Sequence, residues 1–153
     1  MEFDLYGNLA PYSLIEINLI NFEDRFVHAY KESKTRAKLF ENYSNYVNSL
    51  KLIIGTGFFQ WIDGSFVTNK LNPKDIDFVT FIDWKVYYNN EILLDSLREL
   101  RYNKILGIDG YIVLVYPPEH KKNILYEADR LQWIFEFSRS RTDQRKGFIQ
   151  INY

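Results

Sequence analysis

The stretch WIDGSFVTNKLNPKDIDFVTFID, Trp61 to Asp83, decides how the chain is read. Its first residues complete an aromatic and β-branched run, Phe58 to Ile62, with strand character, which Asp63-Gly64-Ser65 then breaks. A second strand is expected over Asp75 to Ile82. There Ile76, Phe78, Thr80 and Ile82 share one face, and Asp75, Asp77, Val79 and Phe81 share the other. That alternation sets Asp75 and Asp77 side by side. Two carboxylates so close raise each other's pKa unless a cation lies between them. Hard divalent Mg²⁺ suits the position, because it takes carboxylate oxygens and keeps other sites for water and phosphates. Gly64-Ser65, directly after a strand, lets backbone N–H groups and a hydroxyl approach an anion closely.

Outward from this stretch, Ser33 and Thr35 offer N-cap oxygens to a helix whose Leu39, Phe40, Tyr43, Tyr46, Val47 and Leu50 recur at three- and four-residue steps. The segment Tyr12 to Tyr30 has a mixed spacing that assigns it to no element. Asn90 is placed to cap a helix to about Tyr102, and Tyr111 to Tyr116 reads as a buried strand with Asp109 at its entrance. Leu125, Ala128, Leu131, Trp133 and Phe135 fit a last helix within Glu119 to Phe137, less regularly. A basic loop follows, with Arg139, Arg141, Arg145 and Lys146, then a terminal strand from Phe148 to Tyr153. The expected fold is α+β, one domain over residues 1–153, with a mixed sheet covered on one side by helices.

The composition narrows the functions. Nineteen Lys and Arg face 20 Asp and Glu for a net charge of -1, so a polyanion must meet a local basic patch rather than a global field. No cysteine is present, which excludes disulfides and thiolate chemistry and fits a reducing cytoplasm. His28 and His120 are too far apart in sequence to suggest zinc. The first residues are acidic where a signal peptide would be basic, and no stretch is apolar enough to span a bilayer. The expectation is a soluble cytoplasmic protein with no membrane partner.

A strand, Gly-Ser, a short connection and Asp-hydrophobic-Asp-hydrophobic resembles the defining motif of the nucleotidyltransferase superfamily of polymerase-β type. Here it stands as Gly64-Ser65 and Asp75-Ile76-Asp77-Phe78. The wider string is similar to a group of small bacterial nucleotidyltransferase-like proteins, with Asp109, Trp133 and Lys146-Gly147 as further matches, so the resemblance runs from about Ser33 onward.

The resemblance implies a minimal nucleotidyltransferase fold and metal-dependent transfer of a nucleoside monophosphate from a nucleoside triphosphate, such as ATP, to a protein or RNA acceptor. It implies that Asp75 and Asp77 hold two Mg²⁺ or Mn²⁺ ions, that Asp109 joins them as third carboxylate, and that Gly64 and Ser65 hold phosphate oxygens. Lys70, Arg139, Arg141 and Lys146 are further candidates for phosphate contact.

Asp63 reads as a turn residue, Asp83 as too far along the strand to join the site, and Trp61 and Trp133 as core. A different class of reading is a catalytically weak nucleotide-binding module that partners a toxin or defence protein, as in a toxin–antitoxin pair. It is motivated by the small size of the chain. A third treats the carboxylates as a structural cation site, which leaves Gly64-Ser65 without a purpose. A nucleotide-sugar glycosyltransferase also carries paired aspartates, but needs more chain than this.

Overall fold

The structure, a computed structural model, describes residues 1–153. Two short strands, β1 (Glu2–Phe3) and β2 (Leu9–Ala10), form an antiparallel N-terminal hairpin. The segment the spacing left unassigned holds β3 (Leu14–Glu16), helix α1 (Leu19–Glu23) and a π-helical turn, Asp24–His28. Then follow α2 (Arg36–Ile54), β4 (Phe59–Asp63), a 3₁₀ turn at Gly64–Val67 and β5 (Ile76–Asp83). The chain continues through α3 (Trp84–Asn89), α4 (Glu91–Arg98), a 3₁₀ turn at Glu99–Tyr102, β6 (Ile108–Val115), α5 (Asn123–Phe137) and β7 (Phe148–Asn152). No helix is long and apolar enough to cross a membrane.

The main sheet has the order β3-β7-β4-β5-β6 and is mixed. Strands β3 and β7 run parallel, β4 is antiparallel to both β7 and β5, and β5 and β6 are parallel. The fold is therefore α+β with a mixed five-stranded sheet flanked by helices. Period-two alternation gives each central strand two buried faces. On one face Ile62, Ile76, Phe78, Ile82 and Ile149 join Leu39, Tyr43, Val47 and Leu50 of α2 in the larger core. On the other, Trp61, Val79, Phe81, Val113 and Phe148 pack against Phe137 of α5. Helices thus cover both faces, not one. Gly110 pairs with Phe78, and a Cβ on Gly110 would lie 2.5 Å from the Phe78 ring, so that position leaves room for the core.

Several local expectations shift. Ser33 caps α2, its hydroxyl accepting from Arg36 N at 3.1 Å, whereas the Thr35 hydroxyl makes no cap bond. Asn90 does not cap α4; its amide donates to Val86 O at 2.9 Å. An extra helix, α3, is capped instead by Asp83, which accepts from Lys85 N and Val86 N and so stands away from the Asp75 and Asp77 end of β5. In α5 the inward residues are Tyr126, Trp133, Ile134 and Phe137, while Leu125, Ala128, Leu131 and Phe135 face outward.

Arg36 opens α2 and is fully buried without a carboxylate partner. Its guanidinium donates to Phe26 O at 2.8 Å, Phe66 O at 2.7 Å, Thr68 O at 2.9 Å and Lys70 O at 2.6 Å, and lies 3.9 Å over the Tyr30 ring. Burial lowers its pKa to about 10, which leaves it charged at neutral pH. One side chain thereby fixes the backbone that follows Gly64-Ser65. Replacing it by methionine keeps much of the volume but strands the Phe26, Phe66 and Lys70 carbonyls, Thr68 O keeping the Tyr30 hydroxyl at 3.2 Å, at about 1–3 kcal/mol for each one that stays buried. We expect Arg36→Met to lose at least ~3 kcal/mol in urea unfolding; a loss below ~1 kcal/mol would show that the carbonyls find other partners.

Candidate functional site

The register of the sheet builds the site. Asp63 on β4 pairs directly with Asp77 on β5, and Asp77 pairs directly with Asp109 on β6. Residues in direct register point to the same face, so three carboxylates stand in one row across adjacent strands spaced about 4.8 Å apart. Asp75 precedes β5 on the same face as Asp77. Asp109 is therefore a paired strand residue and not a residue at the strand's entrance.

The row is unequally compensated. Asp63 is buried, and Lys146 Nζ lies 2.6 Å from its Oδ2. Asp109 meets Arg101 Nη2 at 3.1 Å from its Oδ1, and that guanidinium also lies 3.5 Å over the Tyr111 ring. The Arg101 contact is an ion pair without hydrogen-bond alignment, so Asp109 Oδ1 stays buried and unsatisfied as an acceptor. Asp75 and Asp77 have no cationic partner within ion-pair distance. Burial, then the charges of Asp75 and Asp109, push Asp77 up to about 6, against the pull of Lys146 and Arg141. Burial also lifts Asp63 above the ordinary carboxyl range, and Lys146 holds it back.

Gly64 meets this row. Its φ is +73°, a conformation that strains any other residue, and a Cβ there would lie 1.6 Å from Asp77 Oδ2. Glycine is thus required twice, by the turn and by the carboxylate against it. Ser65 O accepts from Thr68 Oγ1 at 2.8 Å, while the Ser65 hydroxyl makes no hydrogen bond within the chain and lines the cavity beside it.

The C-terminal loop folds as a small hairpin, with Arg139 bridging to Arg145, Ser140 N donating to Gln144 O and Lys146 N donating to Ser138 O. It turns Lys146 inward and leaves Arg141 exposed. Arg139 is shared with Asp143 at 2.7 Å. The N-terminal hairpin closes the other side: Asn69 N donates to Gly7 O, Gly147 N donates to Leu9 O, and Asn8 reaches Gln144.

All nine residues singled out in the sequence, Asp75, Asp77, Asp109, Gly64, Ser65, Lys70, Arg139, Arg141 and Lys146, line one cavity of about 580 Å³. Asp63, Trp133 and Asn8 stand on the same wall without having been singled out for the site. Asp63 is the buried end of β4 and partner of Lys146 rather than a simple turn residue; only the paired register, invisible in one sequence, discloses that. Trp133 packs on Tyr111 and Phe137 and also borders the cavity, unlike Trp61, which is core as expected. Asn8 comes from a segment outside the resemblance.

The four aspartates of the cavity supply hard oxygen donors, one oxygen each of Asp63 and Asp109 lacks a hydrogen-bond partner, and Asp77 has no cation within ion-pair distance. That donor set suits Mg²⁺ or Mn²⁺. As they stand, however, no three acidic or histidine side chains converge closely enough to hold a metal ion.

Fold and site together define a small α+β domain with a carboxylate-centred cavity rimmed by basic side chains. The chain belongs to DUF6932, a family of unknown function, which it matches over residues 1–152, the N-terminal hairpin included. No curated protein and no solved structure matches it.

The raised Asp77 pKa has a signed consequence for stability. The folded state holds this proton more tightly than the unfolded state, so the group's contribution is fully present below pH 3.8 and is lost as pH rises through about 6. Asp77→Asn removes that loss. In urea unfolding with a chelator present, we expect the variant to exceed the parent by ~1–3 kcal/mol at pH 8 and by much less near pH 4. Equal stability at pH 8 would contradict the penalty that burial and the neighbouring carboxylates place on the charged Asp77.

Proposed function

We propose that the cavity binds a nucleoside triphosphate and that the protein is a metal-dependent nucleotidyltransferase acting on a protein or RNA hydroxyl. The observation that carries this reading is the pair Asp75 and Asp77 without a cation, although Asp63 and Asp109 on either side of Asp77 each have one, together with Gly64 against Asp77 and a free Ser65 hydroxyl in the same cavity. Such a centre calls for a divalent cation and, next to it, an anion.

Asp75 and Asp77 would hold the metal, with Asp109 joining once Arg101 releases it. Mg²⁺ or Mn²⁺ supplies charge neutralisation of the phosphates and a lowered pKa for the attacking hydroxyl. Ser65 and the turn at Gly64 orient the β- and γ-phosphates, and Lys70, Lys146 and Arg141 offset their charge. The acceptor oxygen bonds to the α-phosphorus, its bond to the bridging oxygen breaks, diphosphate leaves and the hydroxyl proton passes to solvent. Ser65 is a ligand and not a nucleophile.

A second reading draws on the Arg101–Asp109 pair, which keeps the third carboxylate engaged. It makes the chain a nucleotide-binding module working beside a partner protein.

The test is incubation of the protein with α-labelled nucleoside triphosphates, Mg²⁺ or Mn²⁺ and cell lysate. We expect a labelled acceptor, and loss of at least ~100-fold of that signal in the Asp75→Ala, Asp77→Ala double variant. Labelling that survives the double variant would sink the enzyme reading. Metal-dependent triphosphate binding without any labelling would favour the module.

A further inference from the structure

The cavity is graded along the sheet, and the strand order sets the direction. Gly64 and Ser65 leave β4, Lys146 enters on the β7 side, Asp77 stands on the middle strand β5, and Asp109 and Tyr111 lie on β6 at the sheet edge. The anion-binding groups and the edge strand are two strand spacings apart, about 10 Å. The free Ser65 hydroxyl thus stands about two strands from the rings, and each flank of the row carries one ion pair, Lys146 with Asp63 and Arg101 with Asp109.

At the edge end the Trp133 ring lies 4.8 Å from Tyr111 and 5.1 Å from Phe137. Arg101 covers Tyr111 from the other direction at 3.5 Å. The indole of Trp61 donates from Nε1 to Gln150 at 2.8 Å, as a buried indole must, whereas Trp133 Nε1 has no partner in the chain. Trp133 is half-buried and borders the cavity. One turn later Glu136, exposed and held by Gln132 Nε2 at 2.9 Å, adds a carboxylate to the cavity wall. An acidic side chain there repels phosphate and accepts hydrogen bonds from N–H groups.

Resting on the triphosphate reading above, we infer that Trp133, backed by Tyr111 and Phe137, is the platform on which the nucleobase stacks, with Glu136 accepting from the N–H edge of the base. A ligand whose anionic end meets Ser65 and Lys146 and whose metal-binding phosphates lie over Asp77 carries its base outward to the β6 edge. Stacking on an aromatic face is tolerant of base identity, whereas Glu136 favours bases that present amino or imino hydrogens.

Calorimetric titration of the full chain with ATP and with inorganic tripolyphosphate, both with Mg²⁺, separates the base from the phosphates. We expect ATP to bind more tightly than tripolyphosphate. Trp133→Ala should weaken ATP about 5- to 100-fold and leave tripolyphosphate unchanged, and Trp133→Phe should keep most of the ATP affinity. Trp133→Leu preserves an apolar side chain against Phe137 and should behave as the alanine variant does, which guards against a variant that simply unfolds. Equal weakening of both ligands, or unchanged ATP affinity, would overturn the platform. If the parent binds the two ligands equally, the triphosphate site stands and the platform falls; if it binds neither, both fall.

Discussion

Like charges in register across a sheet are the constraint around which this domain is arranged. Asp63, Asp77 and Asp109 occupy one level of three adjacent strands, where direct cross-strand neighbours of equal charge destabilise a sheet. The chain answers at the two flanks and not in the middle. Lys146 arrives from the C-terminal loop to meet Asp63, and Arg101 from the 3₁₀ turn after α4 to meet Asp109. Asp77, against which Gly64 packs, has no cation within ion-pair distance, and Lys146 and Arg141 pull on it only from further off. The gap in compensation therefore falls at the middle of the row.

The same unevenness explains where the supporting contacts fall. The turn at Gly64–Val67 has to hold its place against the repulsion of the row, and it is pinned from behind by a cation that touches no carboxylate. Arg36 spends its donors on the carbonyls of Phe26, Phe66, Thr68 and Lys70, so α2, the π-helical turn and the connection after Ser65 move as one unit. The N-terminal hairpin locks the far side of that connection through Asn69 N and Gly7 O. A Cβ on Gly147 would lie 2.3 Å from Pro11 O, a backbone approach that admits only glycine, and Gly7 holds φ +80° against the Asn69 side chain. Both ends of the chain thereby close on the cavity.

How much of this could be read from residues alone follows from what is local. The alternation in Ile76 to Ile82 predicts both faces of β5, and the glycine and carboxylates of the cavity cluster because they flank two adjacent strands. The spacing in α2 likewise carries its packing. What was misread depends on distant partners. A second helical layer is hidden because the inward face of α5 is set by Trp133 and Phe137 while Leu131 and Phe135 face out, so its apolar residues surround the helix. Asn90 is a good cap by composition, but Asp83 has already capped α3 a turn earlier, which frees the Asn90 amide to bond back to Val86. Asp63 looks like turn chemistry until Lys146, far along the chain, is beside it.

Charge within the cavity then bears on what can enter it. Its wall carries Asp63, Asp75, Asp77, Asp109 and Glu136 against Lys70, Lys74, Arg139, Arg141 and Lys146, so the two signs balance in number, as they nearly do over the whole chain at -1. A bare polyanion gains nothing from a balanced field at long range. What can enter is decided locally instead, because the signs alternate along the row: Lys146 stands against Asp63 at one flank and Arg101 against Asp109 at the other, while Asp75 and Asp77 have no cation within ion-pair distance. A polyanion laid along the whole cavity would meet those two carboxylates uncompensated, whereas a cation would be attracted to them. On charge alone the middle of the cavity favours a cation, and an anion only beside the basic side chains of its rim.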